Sequence, residues 1–142
     1  MTHDEIAALI PHAGAMCLLD SVLTWDTTSI TCVSGRYLAL GNPLRRADGR
    51  LGAATGIELA GQAAALHGRL TAPTSEKPRF GYLASLRDIQ LATAILDTPS
   101  PLTITAERLM GDATGATYNF ALTQNAAPVL SGRFTVLFGP DS

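Results

Sequence analysis

LGAATGIELAGQAAALHGRL, residues 51–70, is a proline-free run dominated by alanine and leucine. Helix propensity is good over about five turns, although an interior glycine costs roughly 1 kcal/mol relative to alanine and glycines stand at 56, 61 and 68. From Leu51 to Leu66 the strongly polar side chains are Glu58 and Gln62, with Thr55 intermediate. A helix that is apolar nearly all the way round belongs in an interior. Its small residues, Gly56, Ala60, Gly61, Ala63 and Ala64, let other backbone approach closely, as when a sheet curls round a central helix. At about 100° per residue, Gln62 lies about 40° and Thr55 about 60° round the axis from Glu58, so the three share a face. His67, nine positions on, points the opposite way.

Glu58 is then the residue to explain. A carboxylate taken into an apolar interior without a partner costs several kcal/mol or picks up a proton. In one reading it lies at the helix edge, solvated or paired with an arginine. In the other it is a general acid, its pKa raised by its surroundings and its carboxyl oriented by the amide of Gln62 one turn later.

The 142 residues make one domain, 1–142, large enough for a real core. Charged residues are sparse at 15% and hydrophobic ones reach 46%, which suggests that a partner subunit covers some apolar surface. A net charge of −2 with no basic cluster argues against nucleic acid. No run of about 18 apolar residues is present to span a membrane. The opening MTHDEIAALI carries acids where a signal peptide would carry Lys or Arg, so the expected compartment is the cytoplasm. Cys17 and Cys32 fall in predicted strands without metal-ligand spacing and read as buried free thiols; no metal site is expected.

Outward from the helix, Thr2 and Glu5 have the spacing of a capping box, which predicts a short helix ending before Pro11 with Ile6, Leu9 and Ile10 as a lid on the core. The loop IPHAGAM, Ile10 to Met16, carries His12. Strands over 17–25 and 29–37, turning at Asp26 to Thr28, predict a hairpin. The loop GNPLRRADGRLG, Gly41 to Gly52, concentrates Arg45, Arg46 and Arg50 before the helix N-terminus, either as a solvated loop or as a docking patch for an anionic partner. Thr71 to Arg79 reads as a linker. Beyond it come a long strand over 82–96, expected to bend or bulge, and alternation over 102–110 with Leu102, Ile104 and Ala106 inward. Two more strands follow: Tyr118, Phe120 and Leu122 share a face in one, and Leu130, Phe134, Val136 and Phe138 in the other. One long helix and several antiparallel strands leave one solution, a strongly curved sheet wrapped round the helix.

This order of elements, with IPHAGAMCLLDSV near the start and GIELAGQAAALHG on the helix, resembles the hotdog-fold 3-hydroxyacyl-[acyl carrier protein] dehydratases, and in particular the small dehydratase-like proteins of aryl polyene pigment pathways. The motifs that carry the likeness are Pro11-His12 followed by Met16 and Leu18-Leu19-Asp20, and Glu58 followed by Gln62. The resemblance implies an α+β hotdog domain, a homodimer or higher oligomer whose sheets join edge to edge, and a substrate presented on acyl carrier protein or coenzyme A. It implies no cofactor beyond the phosphopantetheine arm that the substrate itself carries. Glu58 matches the acid that protonates the departing C3 hydroxyl, and Gln62 the residue that supports it. The backbone N–H groups of Ala53 and Ala54 match the donors that polarise the thioester carbonyl. Arg45, Arg46 and Arg50 would meet the acidic carrier.

The sequence departs from that family at one point. Such dehydratases place their catalytic histidine in the loop before the helix, and Gly41 to Gly52 contains none. Asn42, followed by Pro43, is the nearest analogue, and an asparagine can support but cannot act as a base near neutral pH. His12 is the candidate replacement, from a loop that could approach the partner's site in a dimer. His67 sits on the wrong helix face, and His3 is expected to be mobile. Three functions stay open: a 3-hydroxyacyl-thioester dehydratase, a non-catalytic acyl-binding or heterodimer-partner subunit, and an acyl thioesterase.

Overall fold

The computed structural model describes residues 1–10, 17–39, 42, 44–72, 81–92, 96 and 99–138. The loop that carries His12 and the linker 73–79 lie outside them. Helix α1 spans His3–Leu9, and Thr2 and Glu5 close the expected capping box in both directions. Ile6 and Ile10 are buried, so the short helix does lid the core. Strands β1 (Ser21–Trp25) and β2 (Ser29–Ser34) form the first hairpin, and a 3₁₀ turn at Arg36–Leu38 follows. Helix α2 (Ala54–Thr71) then crosses to the far side of the sheet. The chain continues there as β3 (Gly81–Leu91), then returns beside β2 as β4 (Leu102–Gly111) and fills the sheet between with β5 (Gly115–Gln124) and β6 (Ala127–Phe138).

The six strands among the described residues form one antiparallel sheet in the order β1-β2-β4-β5-β6-β3. It supports α2 chiefly through β2, β4 and β5, the hotdog arrangement expected from the sequence. The alternation in β4 is obeyed: Leu102, Ile104 and Ala106 are buried and Thr105 and Glu107 exposed. Opposite them, Tyr118, Phe120 and Leu122 line the inner face of β5, and Phe134 of β6 stacks against Tyr118 and Phe120 with ring centroids 6.0 and 5.3 Å away. Against this wall α2 buries Thr55, Gly56, Leu59, Ala60, Gln62, Ala63, Ala64, Leu66 and His67. Close approach is required at Gly56, where a Cβ would stand 2.6 Å from Leu130 Cδ2.

Three boundaries differ from the sequence reading, two of them for a local reason. Residues 17–20 are not strand, because the backbone N–H and C=O of Leu18 are taken by the side chains of Gln62 and Ser34 instead of a ladder. Cys17 therefore precedes β1, while Cys32 lies in β2. Both cysteines are free and buried, and burial raises the Cys17 thiol and pushes Cys32 up to about 12. Strand β2 stops at Ser34 because the Asp20 carboxylate accepts the Gly35 and Arg36 amides and bonds the Arg36 guanidinium, which turns the chain. Burial opposes ionisation of Asp20, but those donors outweigh it and hold the carboxyl below its ordinary value. Strand β3 ends at Leu91, and the expected irregularity is a bulge between Arg87 and Gln90 with Asp88 at φ 54°.

Candidate active site

The site grows from one buried amide. Gln62 is fully buried one turn beyond Glu58, and both of its polar atoms must find partners there. The Leu18 N–H can only donate, so the Oε1 of Gln62 faces it, at 2.9 Å. That fixes the amide's orientation and leaves Nε2 to donate to Glu58 Oε1 at 3.1 Å. Gln62 thus ties the carboxyl of Glu58 to the segment before β1. The same segment is pinned at every residue from 18 to 20: Ser34 Oγ donates to the Leu18 carbonyl, His3 Nδ1 lies 2.9 Å from the Leu19 carbonyl, and Asp20 holds the turn after β2. His3, expected to be mobile, is a partly buried anchor of α1, its ring held at the Leu19 carbonyl and its helix started by the capping box at Thr2.

Glu58 itself is partly buried, between the buried Thr55 and Gln62 and the more open line of Ala54, Ile57 and Gly61. At Gly61 no atom lies within 4 Å of where a Cβ would stand, so the helix surface beside the carboxyl is open among the described residues. The helix begins here too. Ala53 holds the N-cap position without a side-chain cap, and Ala54 is the first helical residue. Thr55 N–H bonds the Gly52 carbonyl and Gly56 N–H the Ala53 carbonyl, while the Ala54 N–H meets no acceptor among the described residues. Four positions separate Ala54 from Glu58, so the helix-start donor and the carboxyl share one face. A carboxyl held by an amide, next to a helix-start N–H, can exchange a proton with one end of a bound group while the N–H polarises a carbonyl at the other.

The loop before the helix divides its polar side chains between its own backbone and solvent. Asn42 is buried, its Nδ2 donating to the Tyr37 carbonyl at 2.8 Å and its Oδ1 accepting from Leu44 N–H at 2.9 Å. It supports the loop's own shape, and both ends of its amide are turned toward backbone. Arg45 likewise directs its guanidinium at the carbonyls of Leu38, Ala39 and Gly49. Arg46 and Arg50 are exposed, with the Arg46 guanidinium lying over Gly52 next to the helix start. Of the three arginines, two therefore face solvent and one closes the loop.

His67 is where helical spacing put it, away from Glu58, and fully buried. Its ring nitrogens meet Tyr118 Oη at 2.7 Å and the Asp26 carbonyl at 2.8 Å. His12 falls outside the described residues. Sequence reasoning missed the Leu18 amide as the second partner of Gln62. The available signal was chemical: a buried amide in an apolar helix needs a donor as well as an acceptor, and the backbone leading into the first strand could supply the donor. No group of three or more His, Cys, Asp or Glu residues that could hold a metal ion occurs among the described residues, and none of their helices is long and apolar enough to cross a membrane.

A family model described as ApeP-like, ApeP dehydratase, matches residues 4–142. Among solved structures, the dehydratase heterocomplex ApeI:P from Xenorhabdus doucetiae matches with a TM-score of 0.80 at 19% identity, over 99% of this chain and 93% of that one. A mutant thioesterase from Pseudomonas aeruginosa matches at 0.68 and 15% identity, over 99% and 96% of the two chains. A hypothetical thioesterase with coenzyme A from Streptococcus pneumoniae matches at 0.61 and 13% identity, over 85% and 86%. At such identities the structural likeness speaks to the fold, which dehydratases and thioesterases share. No curated protein matches the sequence.

Proposed function

The chain belongs to the ApeP-like dehydratase family, and from that premise we propose that it eliminates water from a carrier-bound 3-hydroxyacyl thioester. The observation that carries the reading is the chain of hydrogen bonds from Leu18 N–H through Gln62 to Glu58, beside the helix start. In this reaction a base removes the proton from C2, the C3–O bond breaks, and Glu58 gives its proton to the departing hydroxyl so that it leaves as water. A C2=C3 double bond remains and the thioester stays intact. Gln62 keeps the carboxyl aimed, and Ala53 and Ala54, at the N-cap and first helical positions, present N–H groups to the thioester carbonyl while charge builds on its oxygen. The phosphopantetheine arm comes with the substrate, and the exposed Arg46 and Arg50 face its acidic carrier. His12 is the base in this reading.

A second reading is favoured by Asn42, whose amide is committed to the Tyr37 and Leu44 backbone at the loop where this family's resemblance calls for a histidine. In that reading a homologous subunit supplies the base, as the heterocomplex ApeI:P suggests. Strand β3 offers the surface for either a second copy or a homologue. It pairs with β6 along one edge, and Leu83, Leu86 and Leu91 are 47, 41 and 53% exposed. An edge strand with exposed leucines is a surface for strand pairing between subunits.

Mass spectrometry of a 3-hydroxyacyl thioester incubated with the protein, alone and with a pathway homologue, tests the proposal. Loss of about 18 mass units with the thioester retained supports dehydration. If that loss occurs with the protein alone and disappears in His12→Ala, the base is its own. Activity that requires the homologue and survives His12→Ala in this chain assigns the base to the partner. Release of free thiol would make the protein a thioesterase, and no turnover in either mixture would contradict both dehydratase readings.

A further inference from the structure

His67 has no part in the chemistry proposed for Glu58, yet it joins three elements at the opposite end of α2. Three successive carbonyls of the β1–β2 turn are held from the interior. His67 Nε2 lies 2.8 Å from the Asp26 carbonyl, Arg108 Nη2 donates to Thr27 at 2.8 Å, and the Arg108 backbone N–H donates to Thr28 at 2.7 Å. Arg108 also reaches Thr71 Oγ1, which in turn donates to the His67 carbonyl. A carbonyl can only accept, so Nε2 carries the ring hydrogen, and Nδ1 must accept from the Tyr118 hydroxyl at 2.7 Å. The neutral ring with hydrogen on Nε2 therefore satisfies every atom.

A second proton breaks this arrangement. Nδ1–H would point at the Tyr118 oxygen, and the displaced tyrosine hydroxyl hydrogen would have to find a new acceptor inside the core. The imidazolium would also sit beside the Arg108 guanidinium. The charged and titratable groups facing the ring among the described residues are Arg108 from β4, Tyr118 from β5 and Asp26 from the turn. Burial holds the imidazole below its ordinary value. The Asp26 carbonyl works against that, the charge of Arg108 adds to it, and the Asp26 carboxylate works against it again. Relief is easiest toward the turn, because residues 24–28 are exposed while Tyr118 and Leu66 are buried.

We propose that His67, Tyr118 and Arg108 form an acid-labile latch: protonation of His67 releases the β1–β2 turn from the end of α2 while the sheet behind it stays formed. Since the latched ring resists the proton, the latch contributes fully above the ordinary histidine value of about 6.5 and weakens as pH falls through and below it.

Amide hydrogen exchange on the full chain at about pH 7.5 and 5.5, corrected for intrinsic rates, tests the latch, with the His67 ring followed by ¹⁵N NMR in the same samples. The expected result is that amides of residues 26–31 lose about tenfold protection relative to those of β4 and β5. The ring should show hydrogen on Nε2 at neutral pH and titrate together with that loss. His67→Gln can donate to Asp26 and accept from Tyr118 without titrating, so it should keep the turn protected at both pH values. Equal loss across β4 and β5, a turn that stays closed while the ring protonates, or an unchanged pH step in His67→Gln would each overturn the latch. If His67→Gln does not fold, the wild-type ring titration decides: coincidence with turn opening supports the latch and separation from it refutes it.

Discussion

The two ends of α2 each carry a polar group into an otherwise apolar core, and they are finished differently. At the C-terminal end His67 is fully buried, with both ring nitrogens bonded to the protein. Toward the N-terminal end Glu58 is bonded by the equally buried Gln62 at mid-helix, yet it remains partly exposed beside a helix start without a side-chain cap and a surface at Gly61 that is open among the described residues. A histidine is the more common catalytic residue type, yet here it is the structural one. What separates the two ends is whether the protein's own groups close the site or leave it facing outward.

Cutting the link between Gln62 and its partners should lower stability and activity together. Gln62→Leu leaves the buried Leu18 N–H without the Gln62 acceptor, which costs about 1–3 kcal/mol, and it removes the amide that bonds the carboxyl of Glu58. Dehydration should then fall by about 10²-fold, the lower range for a displaced proton donor, alongside a lowered denaturant midpoint. A variant that loses stability but keeps full activity would make Gln62 purely structural, like His67.

The packed and open faces of the helix can be compared through its glycines. Gly56→Ala puts a Cβ against Leu130 and Leu122 and should destabilise by about 1–3 kcal/mol through overpacking. Gly61→Ala meets no described atom within 4 Å and should stabilise by up to about 1 kcal/mol through helix propensity. Urea unfolding of both variants checks the pair. A cost at position 61 similar to that at 56 would show that the surface beside Glu58 is covered rather than open.

Much of this was legible in the chain because it follows from local periodicity. The all-round apolar run at 51–70 demanded burial, the Thr2 and Glu5 spacing set α1, and alternation placed Leu102, Ile104 and Ala106 inside. The pairing of Glu58 with Gln62 followed from a spacing of four. What could not be read were contacts closed over long sequence separations. Gln62 finds its other partner at Leu18, 44 residues away, and His67 finds Tyr118 and Asp26 at separations of 51 and 41. The same holds for Asp20, whose carboxylate ends β2 from across the hairpin, and for His3, which bonds Leu19. Arg45 looked like a surface charge because only the folded loop brings three carbonyls round its guanidinium.

The central claim is that Glu58 supplies the proton, and Glu58→Gln tests it most directly because the substitution keeps the shape and removes the acidic hydrogen. Dehydration of a 3-hydroxyacyl thioester should fall by about 10²–10⁴-fold, with the urea midpoint close to that of wild type. Wild-type turnover in a folded Glu58→Gln protein would contradict the claim and leave Glu58 as no more than the partner that satisfies Gln62.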